Sequence, residues 1–204
     1  GGDGFEINNV NDVTITNTGT ISATGDAIFN IGNNSSNGNI IVNKGTISSG
    51  SSNHDLLVTT NVGLESLTND QGGNDALKLD GYLPVNYVFL ANSTTDYGKL
   101  AVDNQNGATT FSISTDSSLS AGTYSSIITG VSSSRFTAGS TGTVTVTNGK
   151  FNWTLTETSS GSTNWNLVVT NFDNDAPTLS SSSPSDNASE VATNANIVLT
   201  FSEA

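Results

Sequence analysis

The side chains best suited to chemistry are carboxylates that gather near the end of the sequence. Asp173 and Asp175 are two residues apart, and Asp186 and Glu190 follow them. Carboxylate oxygens are the ligands that Ca²⁺ prefers in proteins, and several of them must converge to hold the ion. We therefore predict a calcium site formed by Asp173, Asp175 and Asp186. A solvated polar linker before Pro177 is the alternative, because short acidic motifs often occur without a metal.

Four aspartates that each precede a short apolar run recur earlier in the chain, at Asp3, Asp26, Asp55 and Asp75. Short carboxylate side chains commonly accept hydrogen bonds from nearby backbone amides and so stabilise turns. We expect that role for these four residues rather than a ladder of metal ligands.

Catalytic chemistry has few candidate residues in this chain. His54 is the single histidine and cysteine is absent, so a site built from two histidines is excluded, as is thiolate chemistry. Polysaccharide hydrolysis needs two carboxylates about 5–9.5 Å apart. A lyase that acts on acidic sugars needs cations, of which residues 1–81 contain only Lys44 and Lys78. We predict that the protein is not an enzyme, and a polysaccharide lyase or hydrolase is the alternative.

The composition excludes several classes of partner. Eighteen acidic residues against five Lys and Arg give a net charge of −13, which repels nucleic acid and anionic membrane surfaces. No apolar stretch reaches the roughly 18 residues of a transmembrane helix. An acidic, hydroxyl-rich surface with only 11% charged residues suits a secreted protein, so we expect an extracellular location. Because the chain contains no methionine, we expect it to be a processed or excerpted piece.

A repeat runs through the first part of the chain. The segments ITNTGTIS and IVNKGTIS match closely and TTNVGLES matches weakly, which places Asn-x-Gly at Asn17, Asn43 and Asn61. Repeats of about 20–29 residues made of short strands stack as the coils of a solenoid, because one coil cannot bury its own apolar face. We predict an all-β fold in which residues 1–81 form a short right-handed parallel β-helix. A β-sandwich with coincidental similarity is the alternative, and a β-helix could also carry the carbohydrate-active enzyme considered above.

From residue 82 to residue 170 the pattern changes to one of antiparallel hairpins. Asn-Gly pairs at 106–107 and 148–149 each lie between two alternating runs, and Asn-Gly is the strongest short-range hairpin signal. The first hairpin sets Val102 against Phe111. We predict that residues 82–170 form an antiparallel β-sandwich or meander. It would cap the last coil of the β-helix, whose unpaired backbone groups would otherwise promote aggregation.

The second hairpin extends into a third strand, and its alternation places one set of apolar residues on a single buried face. With the turn at 148–149, Val146 faces Phe151, and Trp153 faces Leu167 in the third strand. A slip of one residue would expose this face to water. Its members are Val144, Val146, Phe151, Trp153, Leu155, Trp165, Leu167 and Val169.

Residues 171–204 form a third region, which ends in the segment NIVLTFSEA. Ile197, Leu199 and Phe201 alternate with Val198, Thr200 and Ser202, which predicts a strand with one strongly apolar face. Such a strand needs a partner, because a lone strand is not stable in water. Either the natural chain continues, or the strand inserts into a neighbouring copy by β-strand addition. The second arrangement would build a head-to-tail fibre, since the contact is heterologous.

Several segments resemble known families. The pattern N-x-G-T-I-S followed by G-D-A over residues 3–80 resembles the β-helical regions of bacterial autotransporters and haemagglutinin-like surface adhesins, and residues 87–102 resemble the region that closes such helices. Residues 171–204 are similar to the first two strands of bacterial Ig-like domains, and DNDAP resembles the calcium linkers of cadherin-like repeats.

These resemblances imply a C-terminal Ig-like strand pair after a linker. They also imply a structural or adhesive segment of a secreted bacterial surface protein or extracellular fibre. The expected partners are neighbouring copies, adjacent domains of a longer chain, and surface carbohydrate. The expected cofactor is Ca²⁺.

Overall fold

The alternating segments of the sequence form strands throughout the computed structural model. No α-helix occurs among the residues that the structure describes, and Ser133–Arg135 form a single 3₁₀ turn. The predicted all-β class is confirmed. The chain divides into two units, Gly1–Phe172 and Asp173–Ala204. The structure describes residues 5–24, 29–32, 37–50, 54–73, 75–172 and 178–201.

The strands are numbered in chain order. They are β1 (Phe5–Asn8), β2 (Thr14–Asn17), β3 (Thr20–Ala23), β4 (Phe29–Gly32), β5 (Asn39–Asn43), β6 (Thr46–Ser49), β7 (Leu56–Val58), β8 (Leu64–Asn69), β9 (Leu77–Tyr82), β10 (Asn86–Phe89), β11 (Leu100–Asn106), β12 (Thr110–Ile113), β13 (Gly122–Thr129), β14 (Thr141–Val146), β15 (Gly149–Glu157), β16 (Trp165–Asn171), β17 (Leu179–Ser183) and β18 (Val198–Phe201).

The first unit is a parallel β-solenoid. One sheet runs in the order β1-β4-β7-β9-β11-β13, a second in the order β2-β5-β8-β10-β12, and β3 pairs with β6 on a third face. Successive strands of each sheet are parallel. The chain therefore passes from sheet to sheet and lays each coil on the one before it, as the repeat predicts.

The core of the solenoid consists of aligned apolar side chains from successive coils. Ile15, Ile41 and Leu67 occupy one register position in the second sheet, and Tyr87 and Phe111 continue the column. All of these except Ile15 are almost fully buried. Full burial of one such side chain stabilises a fold by about 1.5–3 kcal/mol, so the coils hold one another through these columns.

A ladder of buried asparagines lines one corner of the solenoid. The Nδ2 group of Asn17 donates to Oδ1 of Asn43 at 2.8 Å, and Nδ2 of Asn43 donates to Oδ1 of Asn69 at 3.0 Å. Each is at most 5% exposed. Because a buried polar group must find a partner to be tolerated, the ladder fixes the register of three coils.

The third predicted Asn-x-Gly position is wrong. Asn61 is exposed and lies in the turn before β8, whereas the residue aligned with Asn43 is Asn69. The motif did not indicate Asn69, because Gln71 stands where the Asn-x-Gly pattern has its glycine. The side chain of Gln71 takes part at this corner by accepting a hydrogen bond from the amide of Ile47 at 2.7 Å.

The recurring aspartates are confirmed in part. Asp55 is buried, and its carboxylate accepts hydrogen bonds from the backbone amides of Ser49 at 2.8 Å and Lys78 at 3.0 Å. The residue beside Asp55 on the next coil is therefore Lys78, and the alignment with Asp75 is wrong. Asp3 and Asp26 lie outside the described residues.

The hairpin predicted at 106–107 is wrong. β11 pairs in parallel with β9 and β13, and β12 pairs in parallel with β10. Gly107, with φ of +70°, lies in a corner that carries the chain from one sheet to another. The Asn-Gly signal locates a turn, but it does not determine whether the next strand returns to the same sheet. Parallel coils accordingly continue past residue 82.

The hairpin predicted in residues 143–156 is confirmed, with a different register. Val144 pairs with Phe151 and Gly142 with Trp153, a shift of two residues from the predicted pairing. A shift of two leaves every side chain on its predicted face. Gly142 explains this register, because a Cβ there would lie 2.7 Å from the indole of Trp153, and only a glycine leaves room for that ring.

The third strand of the cap is shifted in the same way. Trp153 pairs with Val169 and Leu155 with Leu167, again two residues from the predicted register. The predicted apolar face is buried, apart from Val144, which is partly exposed.

The antiparallel strands close the end of the solenoid. β16 pairs with β13, so β14, β15 and β16 extend the first sheet beyond its last parallel strand. The ring of Trp153 lies edge-on to Phe111 at 5.3 Å between centroids, and the indole N–H of Trp165 donates to the carbonyl of Val131 at 2.7 Å. Solenoid and cap therefore share one core.

Candidate interaction site

The second unit contains a single antiparallel strand pair in its described part. β17 and β18 pair Leu179 with Phe201, Ser182 with Leu199 and Ser183 with Val198, with an irregularity between Leu179 and Ser181. The hydroxyl of Ser180 donates to the carbonyl of Thr200 at 3.0 Å. A two-stranded hairpin is marginally stable alone in water, so these strands need further contacts.

The apolar side chains of this pair are exposed. Ile197 is 79% exposed, Leu199 is 52% and Phe201 is 50%. None of the residues described between 178 and 201 is buried. Leu199 alone would contribute about 1.5–3 kcal/mol on full burial. A contiguous exposed apolar patch of this kind is typical of an interaction surface.

A hollow of about 480 Å³ lies against this patch. Leu179, Val191, Ile197 and Leu199 supply apolar side chains to its lining, and Asp186 also lines it. Ile197 and Leu199 were predicted from the alternation of the last strand, whereas Leu179 and Val191 were not predicted. Neither of the missed residues lies in an alternating apolar run, so no periodicity marked them.

The predicted calcium ligands are only partly described. Asp173 and Asp175 lie outside the described residues, and Asp186 is exposed. Within the described ranges, no group of three or more His, Cys, Asp or Glu side chains is placed to hold a metal ion. The calcium site therefore stays a prediction.

Two polar clusters on the solenoid were not predicted. In the first, Lys44, Asp70, Asn92 and Asp96 line a groove of about 370 Å³. Burial raises the pKa of the Asp70 carboxyl; the hydrogen bond from Asn92 and the charge of Lys44 oppose this rise, and the charge of Asp96 adds to it.

The second cluster contains the single histidine. Nδ1 of His54 lies 3.9 Å from Oδ2 of Asp80, and Asn104 donates to Oδ1 of Asp80 at 2.8 Å. These side chains come from three successive coils.

Comparison with known proteins identifies the C-terminal region alone. A family model described as a bacterial Ig-like domain matches residues 173–204, the region that contains β17 and β18. No curated protein and no solved structure matches the chain. The predicted resemblance of the tail to bacterial Ig-like domains is confirmed, and such domains are typical of surface proteins.

Within the described ranges, no helix has the length and apolar character needed to cross a membrane.

Proposed function

We propose that the protein is a structural and adhesive segment of a secreted bacterial surface protein or extracellular fibre, and that it is not an enzyme. The β-solenoid would serve as a spacer, and the C-terminal hairpin would join it to a neighbour. The observation that carries the proposal is the exposed apolar face of β18, within residues that match a bacterial Ig-like family.

The solenoid supports the spacer role through its continuous core. Apolar side chains from every described coil belong to one cluster, which also includes the cap. Close-packed protein cores transmit strain and resist compression. The resemblance of the repeat to autotransporter and haemagglutinin-like adhesins points to the same role, and the net charge of −13 favours a solvated extracellular surface.

The hairpin supports the joining role because an Ig-like sandwich has about seven strands and the described part of this unit has two. Strands of a neighbour, either an adjacent domain or another copy, would add to β18 through main-chain hydrogen bonds. Ile197, Leu199 and Phe201 would fill the pockets that give such pairing its specificity. Copies joined in this way would form a head-to-tail fibre.

The test compares Leu199→Asp with Thr200→Asp, neighbouring changes of identical charge on opposite faces of β18. We expect the unaltered chain to associate with rising concentration in sedimentation velocity and to form filaments in electron microscopy. Leu199→Asp should weaken association at least about tenfold, because it places a charge in an apolar contact, and Thr200→Asp should not. Isolated particles at every concentration, or equal loss in both variants, would contradict strand addition through this face.

A further inference from the structure

The asparagine ladder has a direction. Asn17 donates one N–H to Asn43 and the other to the carbonyl of Thr46 at 3.1 Å. Because a backbone carbonyl can only accept, the contact with Thr46 fixes which end of the Asn17 amide carries the nitrogen. Asn69 is fixed in the same way by donating to the carbonyl of Lys99 at 3.1 Å. Each asparagine of the ladder thus directs at least one side-chain N–H toward the next coil.

Among the described residues, the side-chain oxygen of Asn17, the first member of the ladder, accepts fewer hydrogen bonds than those of Asn43 and Asn69. Oδ1 of Asn43 accepts from Asn17 and from the amide of Gly45 at 3.4 Å. Oδ1 of Asn69 likewise accepts from Asn43 and from the amide of Gln71 at 3.2 Å. Oδ1 of Asn17 accepts from the amide of Gly19 at 3.1 Å, but within the described coils no preceding side chain takes the second position. An amide oxygen has two lone pairs, and Asn17 is 95% buried.

The apolar columns end at the same coil. Ile41 and Ile47 are fully buried, whereas their register partners Ile15 and Ile21 are partly exposed. In the described part of the chain, β2 and β3 are the edge strands of their sheets. The asparagine ladder, the apolar columns that end at Ile15 and Ile21, and the edge strands β2 and β3 are therefore all open on the same side of the first coil.

We propose that this side of the first coil binds a parallel β-solenoid coil of the same repeat type. That coil would place an amide side chain over Asn17, as Asn17 itself lies over Asn43, and aliphatic side chains over Ile15 and Ile21. None of the residues of this surface belongs to β18, and the inference goes beyond the proposed function without depending on it.

The polarity of the ladder argues against a second copy of this chain as the occupant. Two first coils meeting end to end would bring two Asn17 oxygens together with no hydrogen between them, which is unfavourable. The opposite end of the second copy is covered by β14, β15 and β16. The occupant must therefore present a donor, as a parallel amide-bearing coil does.

The test joins a copy of residues 29–52 ahead of Gly1 of the full chain, as a probe coil. We expect backbone amides of β2 and β3 to exchange hydrogen at least roughly tenfold more slowly in this fusion, because local opening becomes less favourable, and we expect its Tm to rise. The matched control carries Asn43→Asp in the added copy alone, which replaces the donor amide by an acceptor of the same shape. It should lose most of the protection.

Two further measurements keep the result interpretable. Both tryptophans, Trp153 and Trp165, lie in the cap, so their native fluorescence shows that the rest of the unit has folded in each fusion. Sedimentation velocity detects end-to-end pairing of two copies. Unchanged exchange at β2 and β3, equal protection by the Asp control, or a dimer of the unaltered chain that Ile15→Asp dissociates would each overturn the proposal.

Discussion

The side chain of Asn43 joins three coils of the solenoid, because it accepts from Asn17 and donates to Asn69 and to the Gln71 side chain at 3.1 Å. The repeat ITNTGTIS and IVNKGTIS was sufficient to predict that Asn17 and Asn43 are equivalent. It could not identify Asn69, because the local sequence there shares only the asparagine. Asn69 is the third member of the ladder because it is buried and hydrogen-bonded to Asn43, although it does not belong to an Asn-x-Gly motif.

Replacing Asn43 by alanine should lower the free energy of unfolding by about 2–4 kcal/mol, because it leaves several buried polar groups without a partner. Asn61→Ala is the matched control. It removes the same side chain from an exposed turn and should change stability by less than about 0.5 kcal/mol. Urea denaturation followed by circular dichroism measures both. Equal effects would show that the ladder contributes little.

The predicted calcium site depends on three carboxylate side chains. If Asp173, Asp175 and Asp186 bind Ca²⁺, added Ca²⁺ should raise the Tm and a chelator should lower it, since a ligand that binds only the folded state stabilises it. The double change Asp173→Asn with Asp175→Asn should remove the calcium response, and Asp96→Asn on the solenoid should retain it. A melting curve that is the same with Ca²⁺ and with chelator would dismiss the site.

At the scale of elements, alternation of residues predicted which faces are buried better than it predicted which strands pair. The faces of β14, β15 and β16 follow from the sequence because side chains alternate along any strand. The register does not follow, because shifts of two residues preserve those faces, and here Gly142 opposite Trp153 determines it. The failure at 106–107 has a related cause, since a parallel coil and a hairpin can share the same alternation and the same turn residues.

Gly142→Ala should therefore destabilise the cap by about 1–3 kcal/mol, the usual effect of overfilling a packed site. Gly139→Ala is the control, because a Cβ at Gly139 has no neighbour closer than 4.0 Å. Tryptophan fluorescence during urea denaturation reports on the cap directly. Equal midpoints for the two variants would mean that the ring of Trp153 moves aside at little cost.

At the scale of the whole molecule, the chain consists of a large unit with one shared core and a small unit whose apolar side chains are exposed. The repeat and the cap supply many apolar residues in register, whereas residues 171–204 supply few. The sequence predicted a separate C-terminal region, and it divided the rest of the chain into a β-helix and a cap. It placed the change from parallel to antiparallel strands too early. Tyr87, Phe89 and Phe111 read equally well as parts of coils or of a meander, and only their alignment with earlier coils distinguishes the two.

Residues 1–172 should accordingly fold without the rest of the chain. We expect this fragment to melt within about 2 °C of the main transition of the full chain, because one continuous core supports a cooperative transition. It should remain monomeric at concentrations where the full chain associates. Differential scanning calorimetry and sedimentation velocity measure the two properties. A large drop in Tm would show that the Ig-like unit stabilises the solenoid.

The position of β16 has a mechanical consequence. Tension applied through Phe172 reaches β16 first, and this strand is bonded on one side to β13 and on the other to β15. An edge strand can be peeled away by breaking one ladder, whereas β16 can leave only when two ladders rupture. The last strand of the large unit should therefore resist tension from the tail more strongly than an edge strand would.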